Sequence, residues 1–222
     1  MVKRVLVLGG TGRTGRHVID KALAAGWAVN VLARRPEAVT QSDENLTVFS
    51  GTPENLADVE AAIAGCDAVI ATMNNARAKD SPFAKIVNSP TLLTDCFANI
   101  IAAMKTNGVR RVVQLGASGA GDSFAAAPWI FKLFIKKANL GVAYRDHEGV
   151  ESALAASGLD WTVGRAVALG EKAGKVTESY VVHGKLEPKQ SMQIGRQTVA
   201  QWLVDAVDRD ELHGKTPIIS IG

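Results

Sequence analysis

The sequence has few cysteines, no long apolar run and little excess charge, and each of these shortages excludes a class of protein. Cys66 and Cys96 are the two cysteines among 222 residues, too few for a disulfide framework and without a CxxC partner. Histidine and cysteine never cluster at the spacing of metal ligands, so no metal site is predicted. A formal net charge of +3 is too small to indicate the clustered basic surface of a nucleic-acid-binding protein.

Membrane insertion and export are not predicted either. No apolar run approaches the ~20 residues of a membrane-spanning helix, and residues 1–4 lead directly into a strand-like segment instead of a signal peptide. We expect both thiols to be buried and reduced, as is typical of a reducing cytoplasm. Because 47% of the residues are apolar, the chain can fill a substantial core. The sequence therefore predicts a soluble cytoplasmic protein with no membrane span.

Strand-like and helix-like segments alternate along almost the whole chain. The short run at 5–8 is rich in valine and leucine, which is typical of a strand buried on both faces of a parallel sheet. Further strands are predicted at 28–33, 46–50, 67–71, 111–115, 161–164 and 217–220, and helices around 18–23 and at 56–64, 91–106, 144–156 and 198–207. This alternation predicts an α/β fold of the Rossmann type, a doubly wound and mainly parallel sheet with helices on both faces.

The later part of the chain departs from this regular alternation. Residues 170–195 show the hairpin-like pattern of a small C-terminal elaboration on the substrate side of the sheet, and an irregular loop is predicted at 74–90. No linker, internal repeat or low-complexity tract interrupts the sequence. We therefore predict a single domain over residues 1–222.

A glycine-rich segment, GGTGRTG at 9–15, lies between the first predicted strand and the first helix. Glycine permits a sharp turn and a close approach of pyrophosphate to the backbone, and the helix N-terminus then offers N–H donors and a positive dipole end. A glycine-rich turn without a ligand has the same composition, but the strand–turn–helix context favours dinucleotide binding. The predicted phosphate-binding residues are Gly9, Thr11, Gly12, Arg13, Thr14 and Gly15.

The end of the second strand indicates which dinucleotide is bound. NAD-binding folds usually carry an acidic residue there, about 20 residues after the glycines, which accepts hydrogen bonds from the ribose 2′-hydroxyl. This chain has Arg34 and Arg35 instead, and a guanidinium can bind a 2′-phosphate with paired, charge-assisted hydrogen bonds. The two arginines could also simply be solvated loop residues. We predict NADP(H) as the cofactor.

Taken together, these segments resemble the atypical short-chain dehydrogenases/reductases, in the group of NmrA-like and biliverdin reductase B/flavin reductase proteins. The resemblance covers nearly the whole chain. It rests on VLGGTGRTG at 7–15, NVLAR at 30–34, AGCDAVI at 64–70, RVVQLGAS at 111–118, Asp146-His147, SGLDWT at 157–162 and GRQTVA at 195–200. It implies an NADP-binding Rossmann fold and suggests hydride transfer, without specifying a substrate.

The sequence also departs from this family pattern. Many members use a Tyr-x-x-x-Lys pair to protonate a carbonyl, but Tyr144 is followed at the fourth position by Glu148, and Tyr180 by Gly184. Reduction of a simple ketone by that pair is therefore not expected. In addition, Gly51-Thr52 replaces a frequent Gly-Asp beside the adenine, and Arg165-Ala166 replaces a frequent Arg-Pro.

The carboxyl ends of the parallel strands should form the reaction site. Thr72 and Met73 follow the fourth strand and are expected beside the nicotinamide ribose. The resemblance places Ser118, after the fifth strand, near the nicotinamide, although its hydroxyl could instead satisfy a turn with Gly119.

His147 resembles the Lys or His that the family has after the fifth strand, and it is a candidate general acid. It could equally belong to an exposed helix start, and Tyr144, one turn earlier, is a second candidate proton donor.

The segment WIFKLFIKK at 129–137 admits several interpretations. It could form a mobile lid whose aromatic rings cover a flat substrate, or an interaction face for a protein partner. It could also lie on a membrane surface or simply pack against the open end of the domain.

The leading functional hypothesis is an NADPH-dependent oxidoreductase that transfers a hydride to a small conjugated or aromatic acceptor, such as a flavin, quinone or tetrapyrrole-like ring. The alternative is a non-catalytic NADP(H) sensor of the NmrA-like type that acts through a protein partner. A nucleotide-sugar epimerase or dehydratase is disfavoured, because it would need the Tyr/Lys pair and a longer C-terminal substrate domain.

Overall fold

The structure, a computed structural model, describes residues 2–75, 78, 84–126, 140–188 and 191–222. The segment at 129–137 lies outside these residues, as does part of the loop expected at 74–90. The strands are β1 (Arg4–Leu8), β2 (Ala28–Ala33), β3 (Leu46–Ser50), β4 (Ala68–Ala71), β5 (Arg111–Ala117), β6 (Asp160–Ala166), β7 (Ala168–Gly170), β8 (Val176–Val182), β9 (Lys185–Glu187), β10 (Gln193–Gly195) and β11 (Ile218–Ile221). The helices are α1 (Gly15–Ala24), α2 (Leu56–Ile63), α3 (Leu92–Thr106), α4 (Asp122–Ala126), α5 (Leu140–Ser157) and α6 (Arg196–Asp205).

The main sheet has the strand order β3-β2-β1-β4-β5-β6-β11-β8-β9. The pairings from β3 through to β11 are parallel, whereas β8 pairs antiparallel with β11 and β9 antiparallel with β8. The predicted doubly wound, mainly parallel fold is therefore confirmed, and the hairpin-like segment contains a hairpin of β8 and β9. The parallel pair of β7 and β10, which forms a second small sheet, and the short helix α4 were not predicted.

The side chains of β1 alternate between two apolar cores. Val5 and Val7 pack into one core with α1 and α6, and Leu6 and Leu8 pack into the other with α2, α3 and α5. All four side chains are fully buried, and each contributes about 1.5–3 kcal/mol of hydrophobic free energy. This burial on both faces confirms the expectation from the apolar run, and it places helices on both sides of the sheet.

The first crossover ends where the sequence predicts. Gly26 adopts a left-handed φ of +76°, and its N–H donates to the carbonyl oxygen of Leu23 at 2.8 Å, while the N–H of Trp27 donates to that of Ala22 at 3.0 Å. This paired arrangement satisfies the last carbonyls of α1 and turns the chain into β2.

Both cysteines are buried and free, as predicted, and burial raises the pKa of each thiol to about 12. None of the helices in the described part of the chain is long and apolar enough to cross a membrane.

Arg111, the first residue of β5, carries a buried guanidinium that joins the sheet to the end of α6. It donates to the backbone carbonyl oxygens of Val207 at 3.1 Å, Asp160 at 3.0 Å and Ala206. Burial lowers the pKa of Arg111 to about 10, so the group stays charged at neutral pH. The cation therefore interacts favourably with the negative end of the helix dipole.

We expect Arg111→Met to lower the free energy of unfolding by about 2–4 kcal/mol, because the buried carbonyl oxygens lose their donors. The matched control is Arg110→Met. The Arg110 side chain is 66% exposed and its partner is Asp160, so its loss should cost no more than about 1 kcal/mol. Denaturant titration of the two variants measures the difference, and equal losses would contradict this account of Arg111.

Candidate functional site

A cavity of about 830 Å³ lies along the carboxyl ends of the parallel strands. The segments that follow β1, β2, β3, β4, β5 and β6 all contribute to its lining, as expected for a fold of this type. Of the residues singled out from the sequence, those that line it are Gly9, Thr11, Gly12, Arg13, Thr14, Arg34, Thr72, Met73, Ser118, Tyr144 and His147. Gly15 and Arg35 do not line the cavity: Gly15 is buried in the turn, and Arg35 is exposed to solvent.

The glycine turn brings β1, α1 and the end of β4 too close together for larger residues. A Cβ atom at Gly15 would lie 2.1 Å from the carbonyl oxygen of Gly9, and one at Gly9, whose φ is +79°, would lie 2.9 Å from Oγ1 of Thr72. The N–H of Gly12 donates to the Gly9 carbonyl oxygen at 2.9 Å, which closes the turn. Gly15 thus shapes the turn by close packing rather than by touching a ligand.

The beginning of α1 is electrostatically open to an anion. The helix has no acidic residue in its first turn, and Thr14 at its N-cap makes no side-chain capping bond. Thr14 lines the cavity together with Arg13, so donors and positive charge meet at the positive end of the helix dipole.

Arg34 and Arg35 follow β2 but have different surroundings. Both are exposed, and Arg34 alone of the two lines the cavity; a short 3₁₀ helix over Pro36–Ala38 follows them. Within the described residues, neither side chain forms an ion pair or hydrogen bond. The Arg34 guanidinium is therefore available to a ligand anion in the cavity.

The turn after β3 closes this end of the cavity. Thr52, Pro53 and Glu54 line it, and the Asp58 carboxylate holds the turn by accepting a hydrogen bond from the Thr52 N–H at 2.9 Å. Asn99 on α3 donates to the carbonyl oxygens of Pro53 at 3.1 Å and Glu54 at 2.9 Å. Glu54 was not identified from the sequence, since nothing in its local pattern indicates that it faces the cavity.

Thr72 connects the end of β4 to the glycine turn. Its hydroxyl lies 3.2 Å from the carbonyl oxygen of Leu8 and 3.3 Å from that of Gly9, to which it donates. Met73 and Asn74 continue from it along the cavity. The side chain of Thr72 is thus occupied by the turn, and the adjoining segment forms the cavity wall.

Ser118 lies just beyond β5, half-buried at the cavity wall. The Gly119 turn does not use its hydroxyl, because the Gly119 N–H donates instead to Oγ of Ser123 at 2.9 Å. The Ser118 side chain has no hydrogen-bond partner in the part of the chain that the structure describes. Its hydroxyl is therefore free to contact a molecule in the cavity.

His147 lies on α5 and is only 4% exposed, so it does not belong to an exposed helix start. Burial lowers the pKa of its imidazole to about 4, against a smaller opposing effect of the Asp146 carboxylate. His147 is therefore neutral at physiological pH, and it is not the near-neutral titrating group that its residue type suggests. Tyr144 lies one turn earlier on α5, half-buried, and also lines the cavity.

The neighbouring residue Asp146 has a structural role at the start of α3, which was not predicted from the sequence. Its carboxylate accepts hydrogen bonds from the N–H groups of Leu93 at 2.8 Å and Thr94 at 2.9 Å, from the Thr94 hydroxyl at 2.7 Å and from the Asn75 amide at 2.9 Å. Asp146 is 3% exposed and caps the N-terminus of α3 from another helix. The wall that carries His147 is thereby fixed to α3 and to the segment after β4.

The part of the cavity beyond β5 and β6 is largely apolar. Leu169 and Met192 line it, together with the cation of Arg196 at the start of α6, and Leu115 lines the cavity from β5 itself. These residues were not selected from the sequence, because they come from short segments with no chemical motif. The described residues contain no group of three or more His, Cys, Asp or Glu side chains that could hold a metal ion.

Comparison with known proteins gives the family. A family model described as NAD(P)H-binding matches residues 9–210, which is most of the chain. The chain is similar to (4-alkanoyl-5-oxo-2,5-dihydrofuran-3-yl)methyl phosphate reductase of Streptomyces griseus, with 33% identity over 111 residues, 50% of this chain and 33% of that protein. It is also similar to photosystem II assembly factor Ycf39 of Synechocystis, with 28% identity over 97% of this chain and 62% of that protein. The chain thus spans less than two thirds of either relative.

Solved structures share the fold over nearly the full length. ChuY of Escherichia coli O157:H7, an anaerobillin reductase, aligns with a TM-score of 0.77 at 20% identity, covering 98% of this chain and 97% of that one. A short-chain dehydrogenase/reductase of Veillonella parvula in complex with NADP aligns with a TM-score of 0.73 at 19% identity, covering 99% and 95%. The match to residues 9–210, together with a glycine turn at the carboxyl end of β1, shows that the chain belongs to the NAD(P)H-binding family.

Proposed function

We propose that this protein is an NADPH-dependent oxidoreductase that reduces a small conjugated or aromatic acceptor. The observation that carries the proposal is the continuity of one cavity, which joins the glycine turn and Arg34 at one end to Ser118, Tyr144 and His147 further along. A dinucleotide bound at the turn can therefore reach a region with candidate proton donors. Residues 1–222 act in this proposal as one NAD(P)-binding domain.

The residues present fit the cofactor. The turn excludes side chains where phosphates would approach, since Cβ atoms at Gly9 and Gly15 would overlap neighbouring atoms. Thr11, Gly12, Arg13 and Thr14 would hold the pyrophosphate, and Met73 would lie beside the ribose. When bound, NADPH supplies a hydride. The overall reaction then balances as acceptor plus NADPH plus a proton, giving reduced acceptor and NADP⁺.

The preference for the phosphorylated cofactor is assigned to Arg34. It faces the cavity at the end of β2, and its side chain has no ion-pair partner in the described part of the chain. The carboxylate that would bind a ribose 2′-hydroxyl in an NAD site is missing from this position, and a 2′-phosphate would meet a cation instead. Arg35 does not line the cavity, so its effect on a bound 2′-phosphate is limited to long-range electrostatics.

Ser118, Tyr144 and His147 are assigned to hydrogen-bond the acceptor, whose proton comes from the Tyr144 hydroxyl or from solvent. Because His147 is neutral, it would donate a hydrogen bond from a ring N–H rather than deliver a proton from an imidazolium. Ser118 has an uncommitted hydroxyl that can orient the acceptor or a water molecule. A conjugated ring that takes its proton through such weak donors suits this site better than a simple ketone.

A non-catalytic NADP(H)-sensing role is the second candidate. It is favoured by the likeness to Ycf39, which is named as an assembly factor and matches 97% of this chain. In that case the cofactor would bind without turnover, and a protein partner would respond to the bound state.

The test of function is titration with NADPH and NADH, followed by NADPH absorbance in the presence of flavins and quinones. We expect tight NADPH binding and acceptor-dependent oxidation. Ser118→Ala and Tyr144→Phe should each lower kcat by roughly 100-fold, the lower end of the range for a group that positions or donates a proton, with little change in NADPH affinity. Binding without oxidation of NADPH by any acceptor would instead support the sensor.

Arg34→Ala should raise the Kd for NADPH by at least about tenfold, because a charge-assisted contact to the 2′-phosphate is lost. The Kd for NADH should change much less. Arg35→Ala is the matched control, since it removes the same charge one residue away from the cavity lining. Equal weakening in both variants would assign the effect to overall charge rather than to Arg34.

The burial of His147 predicts an acid-sensitive stability. The pKa of His147 is about 4 in the folded protein, compared with the ordinary histidine value of 6.5, which applies to the unfolded chain. Between pH 6.5 and 4 the unfolded chain therefore binds a proton at His147 that the folded chain does not bind. The free energy of unfolding should therefore fall by roughly 3 kcal/mol from this group as the pH drops from 6.5 to 4. In His147→Gln that part of the loss should disappear from denaturant titrations at a series of pH values. Parallel profiles for the two proteins would refute a neutral, buried His147.

A further inference from the structure

Arg196 places a positive charge at the end of the cavity opposite to the predicted adenosine site. Along the sheet edge, β2 with Arg34 is separated from β6 by β1, β4 and β5, which is roughly 19 Å at about 4.8 Å for each strand spacing. Arg196 lies beyond β6, because β10 pairs with β7 and α6 begins directly after β10. A dinucleotide that extends from β3 to β5 leaves the region around Arg196 to a second molecule.

The guanidinium of Arg196 is only partly used by the protein. Its Nη1 donates to the carbonyl oxygen of Gly170 at 3.2 Å and to Oε1 of Glu171 at 2.8 Å. The Nε and Nη2 groups have no partner among the residues that the structure describes. This pair of donors is the edge with which an arginine binds a carboxylate or phosphate through two parallel hydrogen bonds.

The ion pair with Glu171 does not block this edge. The Glu171 side chain is 78% exposed, whereas that of Arg196 is 14% exposed, so the pair is open to solvent on the carboxylate side. Exposed ion pairs of this type contribute little to stability. Glu171 binds Nη1, so Nε and Nη2 of Arg196 remain available to another anion. An incoming anion would add to this arrangement without displacing a buried group.

The surroundings of Arg196 are those of a small-molecule pocket. Leu169 and Met192 line the cavity beside it and are 36% and 51% exposed, respectively. Ala168 adds a further apolar wall. A single cation in an apolar wall is a common way to orient a flat ligand that carries one charged group.

We propose that the acceptor carries a carboxylate or phosphate group and that Arg196 binds this group while the conjugated ring lies along the apolar wall. This inference rests on the proposed function, since it assigns the second molecule to the same cavity. Arg196 thereby determines specificity for anionic over neutral acceptors, and it takes no part in cofactor binding.

The experiment compares acceptors that share one ring system. FMN carries a phosphate, a carboxyalkyl flavin carries a carboxylate, and riboflavin carries neither. In the wild-type protein we expect kcat/KM for the two anionic flavins to exceed that for riboflavin by about tenfold. Comparison of kcat/KM for FMN with kcat/KM for the carboxyalkyl flavin then shows whether the site prefers a phosphate or a carboxylate.

Arg196→Gln should reduce the ratio of anionic to neutral kcat/KM to about one. Glu171→Gln is the matched control, because it breaks the same ion pair but keeps the cation, and its ratio should stay at or above that of the wild type. If both variants lower the ratio alike, Arg196 has only a structural role and the inference is wrong. An Arg196→Gln variant that keeps the wild-type ratio, or that weakens NADPH binding, also overturns it.

A binding measurement separates this inference from the proposed function. Flavin fluorescence gives the Kd of FMN and riboflavin for the NADP⁺-loaded protein without turnover. One possible result is that FMN binds more tightly than riboflavin, that Arg196→Gln abolishes this difference, and that the protein never oxidises NADPH. This result would refute the proposed reductase activity but support the anion site at Arg196. Oxidation of NADPH with equal affinity for the two flavins would retain the reductase and refute the anion site.

Discussion

The buried carboxylate of Asp146 is the interaction on which the cavity depends. It accepts hydrogen bonds from two backbone N–H groups at the start of α3, from the Thr94 hydroxyl and from the Asn75 amide, at distances between 2.7 and 2.9 Å. A charge at this depth is tolerable only because the helix dipole and these donors replace water. One side chain thereby joins α5, α3 and the segment after β4, which together form much of the wall around the predicted nicotinamide end.

The same burial determines the chemical character of the adjacent residue. His147 lies directly beside the capped carboxylate, yet desolvation outweighs the attraction of that charge and lowers the imidazole pKa to about 4. The Asp146 carboxylate is already directed to α3 by its hydrogen bonds, and its attraction for an imidazolium offsets only part of the desolvation. Among the described residues that line the cavity, His147 is therefore neutral, and the cations are Arg13 and Arg34 near the glycine turn and Arg196 beyond β6.

Features that depend on neighbouring residues could be predicted from the sequence, and those that depend on distant segments could not. The glycine turn and the strand at 28–33 are local patterns, and both were correctly predicted. By contrast, Arg34 and Arg35 look equivalent in the sequence, and the fold alone shows that Arg34 lines the cavity while Arg35 does not. Asp146 caps a helix more than 50 residues away, and no local signal predicts that pairing.

The shape of the second half of the cavity follows from the small sheet of β7 and β10. This pair joins residues 168–170 to 193–195, so the chain leaves β6, forms the β8–β9 hairpin and returns to the same wall before α6 begins. The intervening segment is therefore an insertion whose two ends meet at the cavity. Those ends supply Leu169, Met192 and Arg196 to the cavity lining, whereas the glycine turn is built from β1, α1 and the end of β4. If the cavity holds a cofactor and an acceptor as proposed, the two would therefore contact segments that come from different parts of the sheet.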